Sequence, residues 1–472
     1  IIITLLITIG LSSVAQKKGY KIKIKFGNIK DSLCFLANYY GDKQYIKDTI
    51  KLSSKGEGEF AGNEELPKGI YLVVTSDKKY FEILIDKEQN FSIETDSSNF
   101  VKNMIIKGSA DNKQFYEYLK FIADKQKEQE KLSKIYKRIK DDKEKKDSVK
   151  ILQKAFGELD KIVTEYKNNI ISKEPDKLLT KIFLASKEIE VPEAPLLPNG
   201  KKDSTFGYRY YKKHYFDNID FTDDRLLRTP LFHPKLEEYF EKLVYPAIDS
   251  IIKECDYLIE KARPNKEMYK YLVWHFTRTY ETSNIMGYDA IFVYLAKKYY
   301  ISNEAFWTTK STVEAMEKRV KTLEPLLIGK KAPNLIMLDT IMQPRALWDV
   351  NAKFTLILFW DPECGHCKTE LPKLLKFYNS KKQELGIEVF AVCTDTNVVV
   401  WKKHIKTNKL TWINVNGPRS YTKNFHDLYD VNSTPVIYVL NDKKEIIAKR
   451  IGDDQLEGFI NNYRKKGNNN KL

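Results

Sequence analysis

At 472 residues the chain is longer than the ~250 to 300 at which single hydrophobic cores stop growing, so roughly three domains are expected. Its 42% hydrophobic and 31% charged residues, with 29 Tyr and 24 Phe, exclude a disordered chain. The net charge of +16 does not indicate nucleic-acid binding, because most basic residues are Lys scattered among Asp and Glu, as from Lys134 to Lys150, the pattern of a solvated helix face.

The first residues, Ile1 to Leu11, are apolar and run into Ser12-Ser13-Val14-Ala15-Gln16, with Ser13 and Ala15 at the minus-three and minus-one positions of a cleavage site. Residues 1–16 therefore read as the remnant of a signal peptide, the missing Met and basic residues placing the start of the sequence inside it, and the chain is expected to be exported. The run is too short to span a membrane, and no other stretch qualifies as a transmembrane segment. No Cys follows it to offer a lipoprotein acylation site. Five cysteines, Cys34, Cys255, Cys364, Cys367 and Cys393, are too few for a disulfide-stapled scaffold, and one close pair among isolated ones is the usage of a redox enzyme.

Tyr20 to Phe26 alternates with period two, and apolar runs follow at Leu33 to Tyr39, Ile70 to Thr75, Phe81 to Ile85 and Phe91 to Ile93, which predicts an antiparallel β domain over residues 19–108. Beyond Gly108-Ser109-Ala110-Asp111-Asn112, apolar residues recur at helical spacing through Phe115, Leu119, Ile122, Leu132, Ile135 and Ile139. A turn at Asp141-Asp142 and a return through Val149, Leu152, Phe156, Leu159 and Ile162 complete a helical hairpin over 109–190. Prolines 192, 195 and 198 break the pattern before a second helical region, 191–327. Its aromatic opening, Phe206 to Phe216, reads as core and rim, with a groove for unfolded polypeptide as the alternative. His214, His233 and His275 have no mutual ligand spacing and read as structural, so no metal is expected.

Residues 328–465 carry the chemistry, with 466–472 as a tail. After an expected hairpin, Leu335 to Leu338 and Ala346 to Trp348, Phe354 to Trp360 is apolar on both faces, as a central buried strand should be. It feeds into Asp361-Pro362-Glu363-Cys364-Gly365-His366-Cys367, and a helical pattern begins at Lys368. A Cys at a helix N-terminus faces unpaired backbone N–H groups and the positive end of the dipole, which favour thiolate, and a protonated His366 would add to that. Cys367, one turn further in, is the natural resolving thiol.

Trp360 before the dithiol, Pro372 after it, and Ser433-Thr434-Pro435 ahead of the strand Val436 to Leu440 match the thioredoxin pattern. The opening Gly329-Lys330-Lys331-Ala332-Pro333 and Glu370 in Cys-x-x-Cys-x-x-Glu-x-Pro resemble the TlpA/ResA branch of extracytoplasmic thioredoxin-like proteins. The whole chain is similar to multidomain Bacteroidetes proteins with a DUF4369-like β domain and a DUF5106-like helical region before the redox domain. The resemblance implies a multidomain fold, an N-terminal antiparallel β domain, a central all-α region and a C-terminal α/β thioredoxin-like domain. It further implies a thiol–disulfide oxidoreductase in the periplasm or envelope of a Gram-negative bacterium, with no cofactor beyond the redox-active disulfide Cys364–Cys367. Protein thiols and disulfides would be its substrates, and an upstream membrane reductant is a partner that the resemblance admits. Cys364 would attack, Cys367 resolve, Thr434 and Pro435 shape the substrate loop, and Glu370 tune the dithiol's protonation in place of the buried acid that Leu358 replaces. The Gly365-His366 pair also resembles protein disulfide isomerase, whose potential of about −180 mV against about −270 mV for thioredoxin is worth roughly 4 kcal/mol toward the dithiol.

Three rival readings stand beside this one. A peroxidase of the AhpC/TSA type would need Pro and Thr seven and three residues before Cys364, where Ile357 and Asp361 stand. A zinc site would need a second ligand pair, and Cys393, His404 and His426 are isolated in the sequence. A protein-binding or chaperone module could reside in the residues ahead of the redox domain and coexist with catalysis.

Overall fold

The computed structural model describes residues 19–469, so the signal-peptide reading of residues 1–16 and the last residues of the tail lie outside it. The chain groups into two compact units. One runs to Val244 and includes Glu260–Tyr269; the other joins Tyr245–Ile259 to the chain from Lys270 onward.

In the first unit the strands are β1 (Tyr20–Phe26), β2 (Leu33–Tyr40), β3 (Lys43–Lys51), β4 (Glu57–Gly62), β5 (Gly69–Thr75), β6 (Tyr80–Ile85), β7 (Asn90–Thr95) and β8 (Ile105–Lys107). They form two four-stranded sheets in the orders β4-β1-β7-β8 and β3-β2-β5-β6. Ile22, Ile24 and Phe26 of β1 point inward against Cys34, Leu36, Val73, Phe81 and Ile83 of the other sheet, while Lys21, Lys23 and Lys25 face out. Each such apolar side chain contributes about 1.5–3 kcal/mol by leaving water. The sheets are antiparallel except for β1 and β7, which pair in parallel from Lys21 opposite Asn90 to Phe26 opposite Thr95. Strands β3 and β4 had no place among the expected runs. The edge strand β3 is almost entirely solvated, so its residues show no apolar alternation.

Helices α1 (Ala110–Ile139) and α2 (Lys146–Lys173) make the expected hairpin, followed by α3 (Leu178–Ala185), α4 (Phe206–His214) and α5 (Phe232–Lys242). The Ser109 side chain caps α1 by accepting from the Asn112 N–H. The buried Asn112 amide donates to Leu84 O at 2.7 Å and accepts from Leu84 N at 2.8 Å, which fixes α1 against β6. His214 stacks beside Tyr210 and engages Asp217 at 2.6 Å through Nδ1.

Helices α6 (Ile248–Ala262) and α7 (Lys266–Glu281) come next, then α8 (Asp289–Leu295), which continues into a π turn, and α9 (Lys310–Leu323), capped by Thr309. The remaining chain is an α/β domain: β9 (Ile336–Asp339), β10 (Pro344–Ala346), β11 (Phe354–Trp360), α10 (Gly365–Leu385), β12 (Ile387–Cys393), α11 (Val398–Asn408), β13 (Ile413–Ser420), α12 (Phe425–Leu428), β14 (Val436–Leu440), β15 (Ile446–Lys449) and α13 (Asp453–Asn469). Its sheet has the order β10-β9-β13-β12-β11-β14-β15, with β11, β12 and β13 parallel and the flanking pairs antiparallel. Every residue of β11 is buried, because one face packs on Leu371, Leu374 and Tyr378 of α10 and the other on Phe390, Phe425 and Tyr429. The expected hairpin is present as β9 and β10, but Trp348 falls beyond it in a short 3₁₀ turn. There its Nε1 donates to Ala332 O at 2.9 Å and Lys331 Nζ lies 3.7 Å from its ring.

Candidate active site

The site is assembled where β11 ends. Trp360, its last residue, is completely buried, and the chain turns through Asp361 to Cys364, the N-cap of α10. Gly365 and His366 form the exposed first turn of that helix, and Cys367 lies beneath, 1% exposed. Both are free thiols in this structure. The Asp361 N–H donates to Cys367 Sγ at 3.5 Å, and the Asp361 carboxylate accepts from the Glu363 N–H at 2.7 Å.

Across from the dithiol is the loop entering β14, whose Thr434–Pro435 bond is cis. As a thiol, Cys364 donates to the Thr434 carbonyl at 3.3 Å. The Thr434 side chain, then the backbone N–H of Cys367, favour the ionised form and hold the Cys364 thiol below its ordinary range against a small effect of burial. Burial acts the other way on Cys367 and pushes it up to about 11. The two thiols are therefore displaced in opposite directions, the one beside solvent toward thiolate and the one behind it toward thiol.

Two cavities adjoin the dithiol's helix. The first, about 500 Å³, is lined by Pro435, Ser433, Leu358, Leu371, Glu370 and Asp453. Glu370 is therefore beside the Thr434–Pro435 loop, where it accepts from Lys373 Nζ at 2.9 Å; that bond, then one with Asp453, holds its carboxyl below the usual range, while burial raises that of Asp453. Leu358 forms part of the same wall. The second cavity, about 150 Å³, is lined by Cys367, Lys368, Leu371, Pro372, Leu375 and His404, with Asn408 and Leu410 behind them.

His404 was considered in the sequence only as a zinc ligand and set aside as isolated. It lies on α11, 37 positions past Cys367 by residue number, and its ring packs against Trp360 with centroids 5.1 Å apart. Sequence reasoning did not find Asp430, whose buried carboxylate takes a bidentate bond from Arg319 of α9, at 2.5 and 3.1 Å, and another from Arg450. Asn432 Nδ2 donates to the same carboxylate at 2.9 Å, so the loop leading to Thr434 and Pro435 is anchored at its start. Such groups give no sequence signal except a charged residue beside an apolar run.

Residues 328–449 match the AhpC/TSA family, 158–323 match DUF5106 and 20–115 match DUF4369, the last two being domains of unknown function. The thiol-disulfide oxidoreductase ResA of Bacillus cereus is 28% identical over 142 residues, which are 29% of this chain and 79% of that protein. Sporulation thiol-disulfide oxidoreductase A of Bacillus subtilis is 32% identical over 101 residues, 21% of this chain and 59% of that one. Among solved structures, a domain of a possible thiol-disulfide isomerase from Cytophaga hutchinsonii is 44% identical, covering 31% of this chain and 98% of that one with a TM-score of 0.29. A thioredoxin-like protein from Bacteroides caccae is 18% identical, covering 58% and 98% with a TM-score of 0.44. The chain thus carries a C-terminal thioredoxin-like domain of the AhpC/TSA match whose homologues include the ResA thiol–disulfide oxidoreductases, set behind DUF4369 and DUF5106 regions.

Proposed function

We propose that the chain is an exported thiol–disulfide oxidoreductase that exchanges disulfides with partner proteins through Cys364 and Cys367. The Cys364 thiolate attacks a partner's disulfide, forming a mixed disulfide and releasing one partner thiol. Cys367 then loses its proton and attacks Cys364 Sγ, so that the Cys364–Cys367 bond forms and the second partner thiol leaves. The observation that carries this reading is the opposite displacement of the two thiols from their ordinary range at one helix N-terminus facing the Thr434–Pro435 loop. The domain sequence match to ResA-type proteins supports it. A membrane reductant is the proposed source of electrons. Among the described residues no helix is long and apolar enough to cross a membrane.

Insulin reduction by the protein with dithiothreitol tests the proposal: the wild type should accelerate precipitation of the insulin chains, and Cys364→Ser should fall to the dithiothreitol background. Equal rates for the two would overturn it. The AhpC/TSA label also covers peroxidases, yet Ile357, completely buried in β11, and Asp361 stand where that chemistry needs Pro and Thr. Hydrogen peroxide should therefore not be consumed stoichiometrically by the reduced protein. From the Gly365-His366 pair, a glutathione redox titration should give a potential less negative than thioredoxin's −270 mV or so; a thioredoxin-like value would remove His366 as the determinant.

A further inference from the structure

We infer that His404 is the proton acceptor for Cys367 when Cys367 resolves the mixed disulfide, an inference that rests on the oxidoreductase reading above. Cys367 is almost completely buried, and it lines the 150 Å³ cavity that His404 also lines. A space of that size has room for about five waters, enough to connect thiol and imidazole through solvent. Leu371, Pro372, Leu375 and Leu410 make the rest of the wall largely apolar, so few groups there can take a proton.

The charged groups around the cavity narrow the choice to one. Lys368 also lines it, but its Nζ is engaged in an ion pair with Glu363 at 3.7 Å. Glu370 lines the other cavity and is held by Lys373. The Asp361 carboxylate accepts from the Glu363 N–H at 2.7 Å, and Asp361 meets Cys367 through its backbone N–H. His404 remains. Its ring packs on Trp360 and makes no hydrogen bond or ion pair among the described residues. Burial first, and the nearby Lys368 second, lower its pKa, with Glu363 opposing, so that at pH 7 the imidazole is neutral and free to accept.

The step balances without any added oxidant. The Cys367 proton passes to His404, the thiolate electron pair forms the bond to Cys364 Sγ, and the bond between Cys364 and the partner sulfur breaks with its pair on the partner. The imidazolium then returns its proton to the departing thiolate through solvent.

The aromatic disulfide 5,5′-dithiobis(2-nitrobenzoate) separates the stages, because attack by Cys364 releases one thionitrobenzoate and attack by Cys367 releases the second. In stopped flow with the full, reduced chain, His404→Gln is expected to slow the second release roughly 10²-fold, the typical worth of a positioned base. The wild-type rate of that release should level off above the ionisation of His404, whereas that of the variant should go on rising with pH toward the Cys367 thiol's own ionisation. His404→Phe keeps a ring against Trp360 and should show the same loss. A wild-type second release and pH profile in either variant would overturn the inference, since packing alone would then account for His404. Failure of the oxidoreductase reading looks different: Cys364→Ser would leave the first release of the otherwise unaltered protein unchanged.

Discussion

Cys367→Ser is expected to stop turnover at the mixed disulfide while leaving the first attack intact. Thiolate is the nucleophile, and its availability differs sharply between the two cysteines. With Cys367 pushed up to about 11, roughly one molecule in 10⁴ carries that thiolate at pH 7 without assistance, whereas Cys364 ionises below the ordinary thiol range. The serine variant should therefore accumulate a covalent Cys364–insulin adduct, visible on non-reducing gels and absent from the double variant Cys364→Ser, Cys367→Ser. Insulin turnover should fall at least 10³-fold. Iodoacetamide at pH 7 gives an independent check by peptide mass mapping. Cys364 should be labelled first, while Cys34 and Cys393, which burial raises to about 12, and Cys255, raised well above the ordinary range, should resist until the chain unfolds. Prompt labelling of Cys367 at pH 7 would contradict the ordering of the two thiols on which the proposed mechanism stands.

What could be read from the sequence follows from how locally each feature is encoded. The dithiol, its helix and the buried strand before it are contiguous, so the residue order alone displays β11, the Cys364 cap and α10. The helical hairpin was equally legible, because α1 and α2 repeat their apolar positions over many turns and Asp142 caps the short turn between them. Strands β3 and β4 were not, because neither buries a regular apolar face: β3 is an edge, and β4 contributes only Phe60 as a fully buried side chain. The parallel pairing of β1 with β7 could not be read from alternation either, since period two is the same whichever way the neighbour runs. His404 was dismissed as an isolated histidine for a related reason. Its importance comes from α11 crossing near the start of α10, a tertiary fact that no spacing rule contains. The buried Lys444 is a similar case, with Nζ donating to Val350 O at 2.6 Å and Thr355 Oγ1 at 2.9 Å inside a domain where, Lys449 apart, the lysines are largely solvated.

Asp430→Ala is expected to destabilise the C-terminal unit by about 3 kcal/mol, near the lower end for breaking a buried ion pair because Arg450 keeps half its side chain in water. For a unit of this size that corresponds to roughly 6–12 °C in its calorimetric transition. Burial alone would raise the Asp430 carboxyl, but Arg319 and then Arg450 outweigh it and hold the group below its usual range. A depressed folded-state pKa means that the contribution is complete above the unfolded value of about 3.9 and is lost as pH falls through the folded one. The gap between wild type and variant should accordingly be full at pH 7 and shrink below about pH 4. Because Asp430 also accepts from Asn432, two residues before Thr434, the substitution should loosen the loop that faces Cys364 and slow insulin reduction even where the protein remains folded. Stability lost at pH 7 with exchange unimpaired would mean that the Arg319 clamp serves the fold alone. Loss of both would mean that a helix from the DUF5106 region, α9, helps set the geometry at which the dithiol meets its substrate.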